Sequence, residues 1–186
     1  MRIFIAIDIT EEIRARLGEL IETLRSTARG LRWADPGGMH LTLKFIGEIS
    51  EEKLKPVEEA LGSVRVGEPI QLTFRNLGFF PGDRHPRVFW VGVEAPPSLA
   101  QLVAQIDRAL SPLGIAPEQR AFSPHLTLGR FRSEDGLERL REAIARHRTA
   151  EFGRLEAKEF CVFQSILGPH GARYVKRKQI NFESSG

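Results

Sequence analysis

The chain has 186 residues, 41% hydrophobic and 27% charged, which suits one compact globular domain or two small lobes sharing a core. A formal charge of +3 fits an anionic partner but is far from the excess of a chain that coats nucleic acid. The single cysteine, Cys161, excludes an internal disulfide framework and a cysteine-rich metal site; Ile3–Ile7 is too short for a secretion signal and no long apolar run follows, so a reduced, cytoplasmic protein is the expectation.

Arg2–Asp8, rich in Ile and Phe, reads as a buried strand. Thr10 is a natural N-cap for a helix whose Ile13, Leu17, Leu20, Ile21 and Leu24 form one inward stripe. Arg29–Gly38 is a loop or short strand broken by Asp35-Pro36-Gly37-Gly38, and a strand runs from His40 to about Gly47. Ser50 caps the next helix, with Leu54, Val57 and Leu61 inward. Pro56 lies too deep for a first-turn proline, which predicts a kink or a later start. Ile70–Phe80 is a long strand. The turn at Pro81-Gly82-Asp83 leads to another strand, Arg87–Glu94, and places Arg84 and His85 at a solvated tip.

The second half repeats this plan. Pro97 suits the first position of a helix with Leu99, Leu102, Val103, Ile106 and Leu110 inward, ended by Pro112 and Gly114. A loop through Pro117–Phe122 leads to a strand beginning at His125. Ser133 is the expected cap of a last helix carrying Leu137, Leu140 and Ile144, with His147 near its end at the surface. Two strands, around Phe152–Ile166 and Arg173–Phe182, close the chain on either side of a turn that exposes His170. The element order predicts an α+β fold with two mainly antiparallel sheets and helices on their outer faces.

The repeat is also literal. His40-Leu41-Thr42-Leu43 returns 85 residues later as His125-Leu126-Thr127-Leu128. In each copy the alternation puts His and Thr on one face of a strand and two Leu on the other. Arg2-Ile3-Phe4 and Arg87-Val88-Phe89 share the 85-residue offset, as do Leu17 with Leu102 and Ile21 with Ile106, which predicts an undisrupted duplication whose second copy starts near residue 87 within one domain, 1–186. Two imidazoles and two hydroxyls facing one another make a site for phosphoryl chemistry without a metal. Neither His-x-x-x-His nor another cluster of ligand spacing is present. Both imidazoles are expected on a cleft face that buries little of them.

These residues resemble the two-histidine (2H) phosphoesterase superfamily, specifically its RNA 2′,3′-cyclic phosphodiesterases, also called 2′-5′ RNA ligases. The segments that carry the resemblance are His40–Gly47, Arg87–Trp90 and Phe122–Arg130, with a weaker match from Ser165 through Gly171 to Tyr174. The resemblance implies a bilobal fold of two pseudo-symmetric lobes, their sheets facing across a cleft lined by both motifs. It implies hydrolysis of a terminal 2′,3′-cyclic phosphate to a 2′-phosphomonoester, with reversible 2′-5′ joining in some members. No cofactor, membrane or obligate protein partner is implied, and the partners are RNA ends or small cyclic-phosphate nucleotides. His40 becomes the general acid and His125 the general base, while Thr42, Thr127 and Arg130 contact phosphate. A related cyclic-nucleotide or ADP-ribose cyclic-phosphate hydrolase, or a silent nucleotide-binding module, are the alternatives; the intact His and Thr pairs count against the module.

Three neighbouring residues test strict alternation. Arg130 should point away from His125, unless Gly129 marks a bulge or the strand ends there. Phe45, its mate at the 85-residue offset, is either core or a surface on which a base stacks. Lys44 is expected on the His40 face, as a nucleotide contact or a solvated lysine. The basic run Val175-Lys176-Arg177-Lys178 has no assigned role.

Overall fold

A computed structural model describes residues 1–183. Nine strands and four helices follow in chain order. They are β1 (Arg2–Asp8), α1 (Glu11–Leu24), β2 (Leu31–Trp33), β3 (His40–Glu48), α2 (Glu51–Leu61), β4 (Ile70–Phe80), β5 (Val88–Glu94), α3 (Pro97–Leu110), β6 (His125–Phe131), α4 (Leu137–Ile144), β7 (Glu151–Ala157), β8 (Glu159–Gly168) and β9 (Gly171–Asn181). All pairings are antiparallel, in a four-stranded sheet ordered β3-β1-β8-β9 and a five-stranded sheet ordered β2-β6-β5-β4-β7. This is the expected α+β architecture of two antiparallel sheets with helices.

Local chemistry accounts for the helix starts. Thr10 and Ser50 side chains each accept from the backbone N–H three residues on, with Glu pairs in both first turns, and Pro97 occupies the first turn of α3. Two expected helix starts fail here, a later one for α2 and a Ser133 cap for α4. Pro56 lies inside α2 without ending it, on an exposed face where water can take the carbonyl that the missing N–H leaves free. Ser133 does not cap α4; the helix starts after Gly136, which sits at φ 83°, while the Ser133 hydroxyl accepts from Asp135 N.

The closing segment is three strands, not two. A break at Lys158 sends β7 to one sheet and β8 to the other. The long strand ending each half is exchanged in the same way: β4 pairs with β5 of the second half, and β8 pairs with β1 of the first. Neither sheet is therefore a contiguous stretch of chain. One apolar core runs through both, joining Ile5, Ile7, Leu41 and Leu43 to Phe89, Val91, Leu126 and Leu128 and to the inward stripes of all four helices.

The spacing between corresponding elements of the two halves slips from one to the next. Ala6 pairs with Thr42 and Trp90 with Thr127, so the first strands correspond at 84 residues while the His strands keep 85. Helices α1 and α3 correspond at 86, from Glu11–Leu24 to Pro97–Leu110. The constant offset fails for a physical reason. An odd slip in a strand exchanges its faces, and a constant 85 would match Phe4 with Phe89, which face opposite ways. Phe89 lies in the main core, whereas Phe4 forms a separate apolar cluster with Ala6, Cys161 and Phe163 on the other face of its sheet.

Candidate active site

The two His strands share one irregularity, placed directly after the His-x-Thr unit. In β3 the register against β1 shifts between Thr42 and Lys44; in β6 the register against β5 shifts between Thr127 and Gly129. Each shift is a β-bulge one residue beyond the His-x-Thr unit, and it reverses the faces of the residues that follow, in β3 as far as a second shift between Phe45 and Gly47. Leu43 and Lys44 are consequently both buried, as are Leu128 and Gly129, whereas Phe45 and Arg130 are exposed. Arg130 thus shares a face with His125 and Thr127, and Phe45 one with His40 and Thr42. The bulge reading of Gly129 holds, and the strand runs on to Phe131. Phe45 is 73% exposed and so is not core.

Lys44 is a correction. The same bulge turns it away from the His40 face. It is 7% exposed, and its Nζ lies 2.5 Å from Asp107 Oδ1 on α3 and 2.7 Å from the Ala116 carbonyl. It is a buried structural cation, not a nucleotide contact.

Each imidazole is held by its own strand's approach. His40 Nδ1 is 2.9 Å from the carbonyl of Gly38, and His125 Nδ1 is 2.7 Å from that of Ser123. A carbonyl only accepts, so Nδ1–H donates in both, and Nε2 is left as the group that takes or gives a proton. Aromatic rings support both: Phe163 lies 4.4 Å from His40 between ring centroids, and Phe80 lies 4.9 Å from His125. Phe163 on β8 and Phe80 on β4 hold corresponding register positions, opposite Phe4 and Val88. The exchanged strands thus supply the ring that backs each histidine. Tyr174 on β9 adds an edge contact to His40 at 5.2 Å, and it passes so close to Gly38 that a Cβ there would meet its ring at 2.8 Å.

The surroundings of the two rings differ. Asp8 stands opposite His40 in the ladder, whereas Gly92 stands opposite His125. Asp8 Oδ1 lies 3.8 Å from His40 Nε2 and 2.5 Å from Arg14 Nη2, and Arg14 also donates to the carbonyls of Ile9 and Met39. The His40 side chain is only 8% exposed, against the expectation that both imidazoles bury little. Burial pushes its pKa below the ordinary value, and the Asp8 carboxylate opposes that shift. Cys161, beneath the same site, is no alternative nucleophile, because burial pushes its thiol up to about 11. Asp8 and Arg14 escape a motif reading; the available signal is an acid closing an apolar strand directly before a helix cap. Arg84, His85 and His170 are exposed on loops and hairpin tips away from this face, His85 pairing with Glu134.

Two successive segments, residues 7–90 and 91–174, each match the sequence model of LigT-like phosphoesterases. The chain belongs to that family. The two matches begin 84 residues apart, the offset of the first strands. Among curated LigT-like relatives, the RNA 2′,3′-cyclic phosphodiesterase of Thermotoga maritima is 36% identical over 98% of this chain and 96% of its own, and that of Methanocaldococcus jannaschii is 34% identical over 94% and 96%. A Thermus thermophilus protein, TT0787, superposes with a TM-score of 0.80 at 29% identity over the whole of both chains. E. coli LigT complexed with 3′-AMP does so at 0.77, with 26% identity over 97% of each. This chain is thus a phosphoesterase by family. Among the described residues no helix is long and apolar enough to cross a membrane.

The exposed guanidinium of Arg130 can pair with a substrate oxygen, while Arg84 lies on a hairpin tip. Arg130→Ala is expected to lower kcat/KM about 10-fold or more, which corresponds to one lost charge-assisted contact, and Arg84→Ala to change it less than about twofold. Steady-state kinetics on the two purified variants checks this, and equal losses contradict the placement.

Proposed function

We propose that this LigT-like phosphoesterase hydrolyses the 2′,3′-cyclic phosphate at an RNA end to a 2′-phosphomonoester, by two-histidine general acid–base catalysis and without a metal. The observation that carries this reading is the matched pair of imidazoles, one per sheet, each with Nδ1 tied to a carbonyl and Nε2 in no hydrogen bond among the described residues. Water attacks phosphorus as His125 Nε2 takes its proton. The P–O3′ bond breaks as His40 Nε2 donates to O3′, leaving phosphate on O2′. Thr42 and Thr127 hydroxyls donate to the non-bridging oxygens as charge gathers there. With a 5′-hydroxyl in place of water, the same steps join a 2′-5′ bond. Exposed Phe45 and Tyr174, both on the His40 face, offer rings on which a terminal base stacks.

The acid is assigned to His40, where the Asp8 carboxylate offsets part of the downward push of burial and is the one counter-charge near either ring among the described residues. Asp8→Asn removes that support, so the His40 pKa falls further. The basic limb of the kcat/KM profile is then expected to move to lower pH. If the acidic limb moves down instead, the two histidines have the opposite roles.

The deciding experiment is product analysis on a short RNA ending in a 2′,3′-cyclic phosphate, in excess EDTA. A new 2′-phosphate end is expected. Loss of turnover on chelation with recovery on adding Mg²⁺ or Mn²⁺ contradicts the metal-free mechanism, and binding without turnover contradicts catalysis.

A further inference from the structure

The basic run Val175-Lys176-Arg177-Lys178 lies on β9, and the fold sends its three cations to different places. Lys178 stands opposite core Val162 and donates to the Glu58 carbonyl of α2 at 3.4 Å, so it faces the helices. Arg177 is the extra residue of a bulge and donates to Gln164 Oε1 at 3.3 Å. Lys176 stands directly opposite Phe163, and opposed residues of an antiparallel pair share a face. That face is the one that carries His40, whose ring lies 4.4 Å from that of Phe163 between centroids. Two residues away on the same face, the Tyr174 ring lies 5.2 Å from His40.

The other lobe has no counterpart to Lys176. Strand β7 pairs with β4 only from Ile70 to Arg75, and so does not reach Phe80, the counterpart of Phe163. Strand β9 pairs along the whole of β8, and this extra length brings Lys176 and Tyr174 to the His40 side. The same side lacks the cation that follows the other bulge, because Phe45 stands where the second motif has Arg130. Arg14, also near His40, is committed to Asp8, Glu11 and two carbonyls, and Lys44 is buried on Asp107. Lys176 is exposed and meets no carboxylate within ion-pair distance among the described residues. Burial lowers the pKa of His40 and raises that of Cys161, and the Lys176 ammonium lowers both, so it leans toward the pair. A cation so placed opposes protonation of His40 unless an anion lies against it.

We propose that the Lys176 ammonium is a substrate contact on the His40 side of the cleft, where it pairs with a phosphate oxygen of the RNA end. This rests on the RNA-end reading above and adds a residue to it. The oxygen belongs either to the cyclic phosphate itself or to the phosphodiester on its 5′ side. A bound phosphate also offsets the ammonium, and so favours the protonated His40 that the proposed acid step needs.

The test uses Lys176→Met, which removes the charge, and Lys176→Arg, which keeps it. Both are assayed on adenosine 2′,3′-cyclic phosphate, which holds only the reacting phosphate, and on the dinucleotide ApA ending in a 2′,3′-cyclic phosphate. Lys176→Met is expected to lower kcat/KM about 10-fold or more, and Lys176→Arg to stay within about threefold of the wild type. A loss on the mononucleotide, with or without one on ApA, assigns the contact to the cyclic phosphate; a loss on ApA alone assigns it to the phosphodiester. The pH profile is a second readout. Around His40 stand Asp8 on β1, Arg14 on α1, Cys161 on β8, and Tyr174 and Lys176 on β9. Without the ammonium the His40 pKa rises, so the limb of kcat/KM that Asp8→Asn moves to lower pH is expected to move to higher pH in Lys176→Met. Edge strands also carry lysine against stray pairing, and a residue with that duty alone leaves kcat/KM unchanged in Lys176→Met, which overturns the contact. A loss that Lys176→Arg does not recover, or a limb that stays in place, overturns it too. All three results leave the RNA-end reading intact, whereas no turnover of either substrate by the wild type overturns that reading and the contact with it.

Discussion

His40→Ala and His125→Ala are each expected to remove nearly all turnover, and the double variant is expected to be little worse than either. One proton-transfer group contributes about 10²–10⁴-fold, and because acid and base serve one displacement their losses do not add. The single variants should differ in stability. His125 is partly open, whereas His40 is packed against Phe4, Phe163 and Tyr174 and nearly buried. His40→Ala therefore opens a void among aromatic rings, and His40→Asn, which keeps much of the volume, is the better-folded control. Kinetics alongside circular dichroism checks this. Near wild-type turnover by either folded variant would contradict a shared two-histidine site.

Asp107→Ala is expected to destabilise the fold by about 3–5 kcal/mol, the cost of leaving a buried charge unpaired. The Lys44 side chain is 5% exposed and would keep only the Ala116 carbonyl, while Asp107 Oδ2 also accepts from Glu118 N on the loop that leads to His125. For a chain of this size that is a fall in Tm of about 6–20 °C. Replacing both partners, as Lys44→Met with Asp107→Leu, removes the charges together and should recover most of the loss. Denaturant unfolding of the two variants measures it. If Lys44→Met instead lowered kcat/KM at unchanged stability, the lysine would belong to the substrate site.

The asymmetry of the two halves bears on mechanism. The two motifs supply two equivalent imidazoles, yet the proposed mechanism needs one protonated and one neutral. Asp8 against Gly92, and the deep setting of His40 against the open setting of His125, separate two otherwise identical groups. The difference arises at positions outside the His-x-Thr motif, on the strands that pair with it.

What is written within a single strand or helix was legible from the residues alone. His and Thr alternate with Leu in both motifs, which settles their shared face, and helix caps and stripes follow from Thr10, Ser50 and the spacing of Leu and Ile. Strict alternation misplaces Lys44 and leaves Phe45 and Arg130 open for one reason: it holds only while the ladder is regular, and a single extra residue reverses it. The extra residue is set by how β3 lies on β1 and β6 on β5, a property of two strands rather than one. Asp8 acquires its meaning only through the residue opposite it, His40. Likewise the exchange of β4 and β8, which brings Phe80 and Phe163 behind the histidines, depends on which long strand reaches which open edge. Such pairings join residues far apart in the chain, where no local period records them, and so tertiary structure decided them.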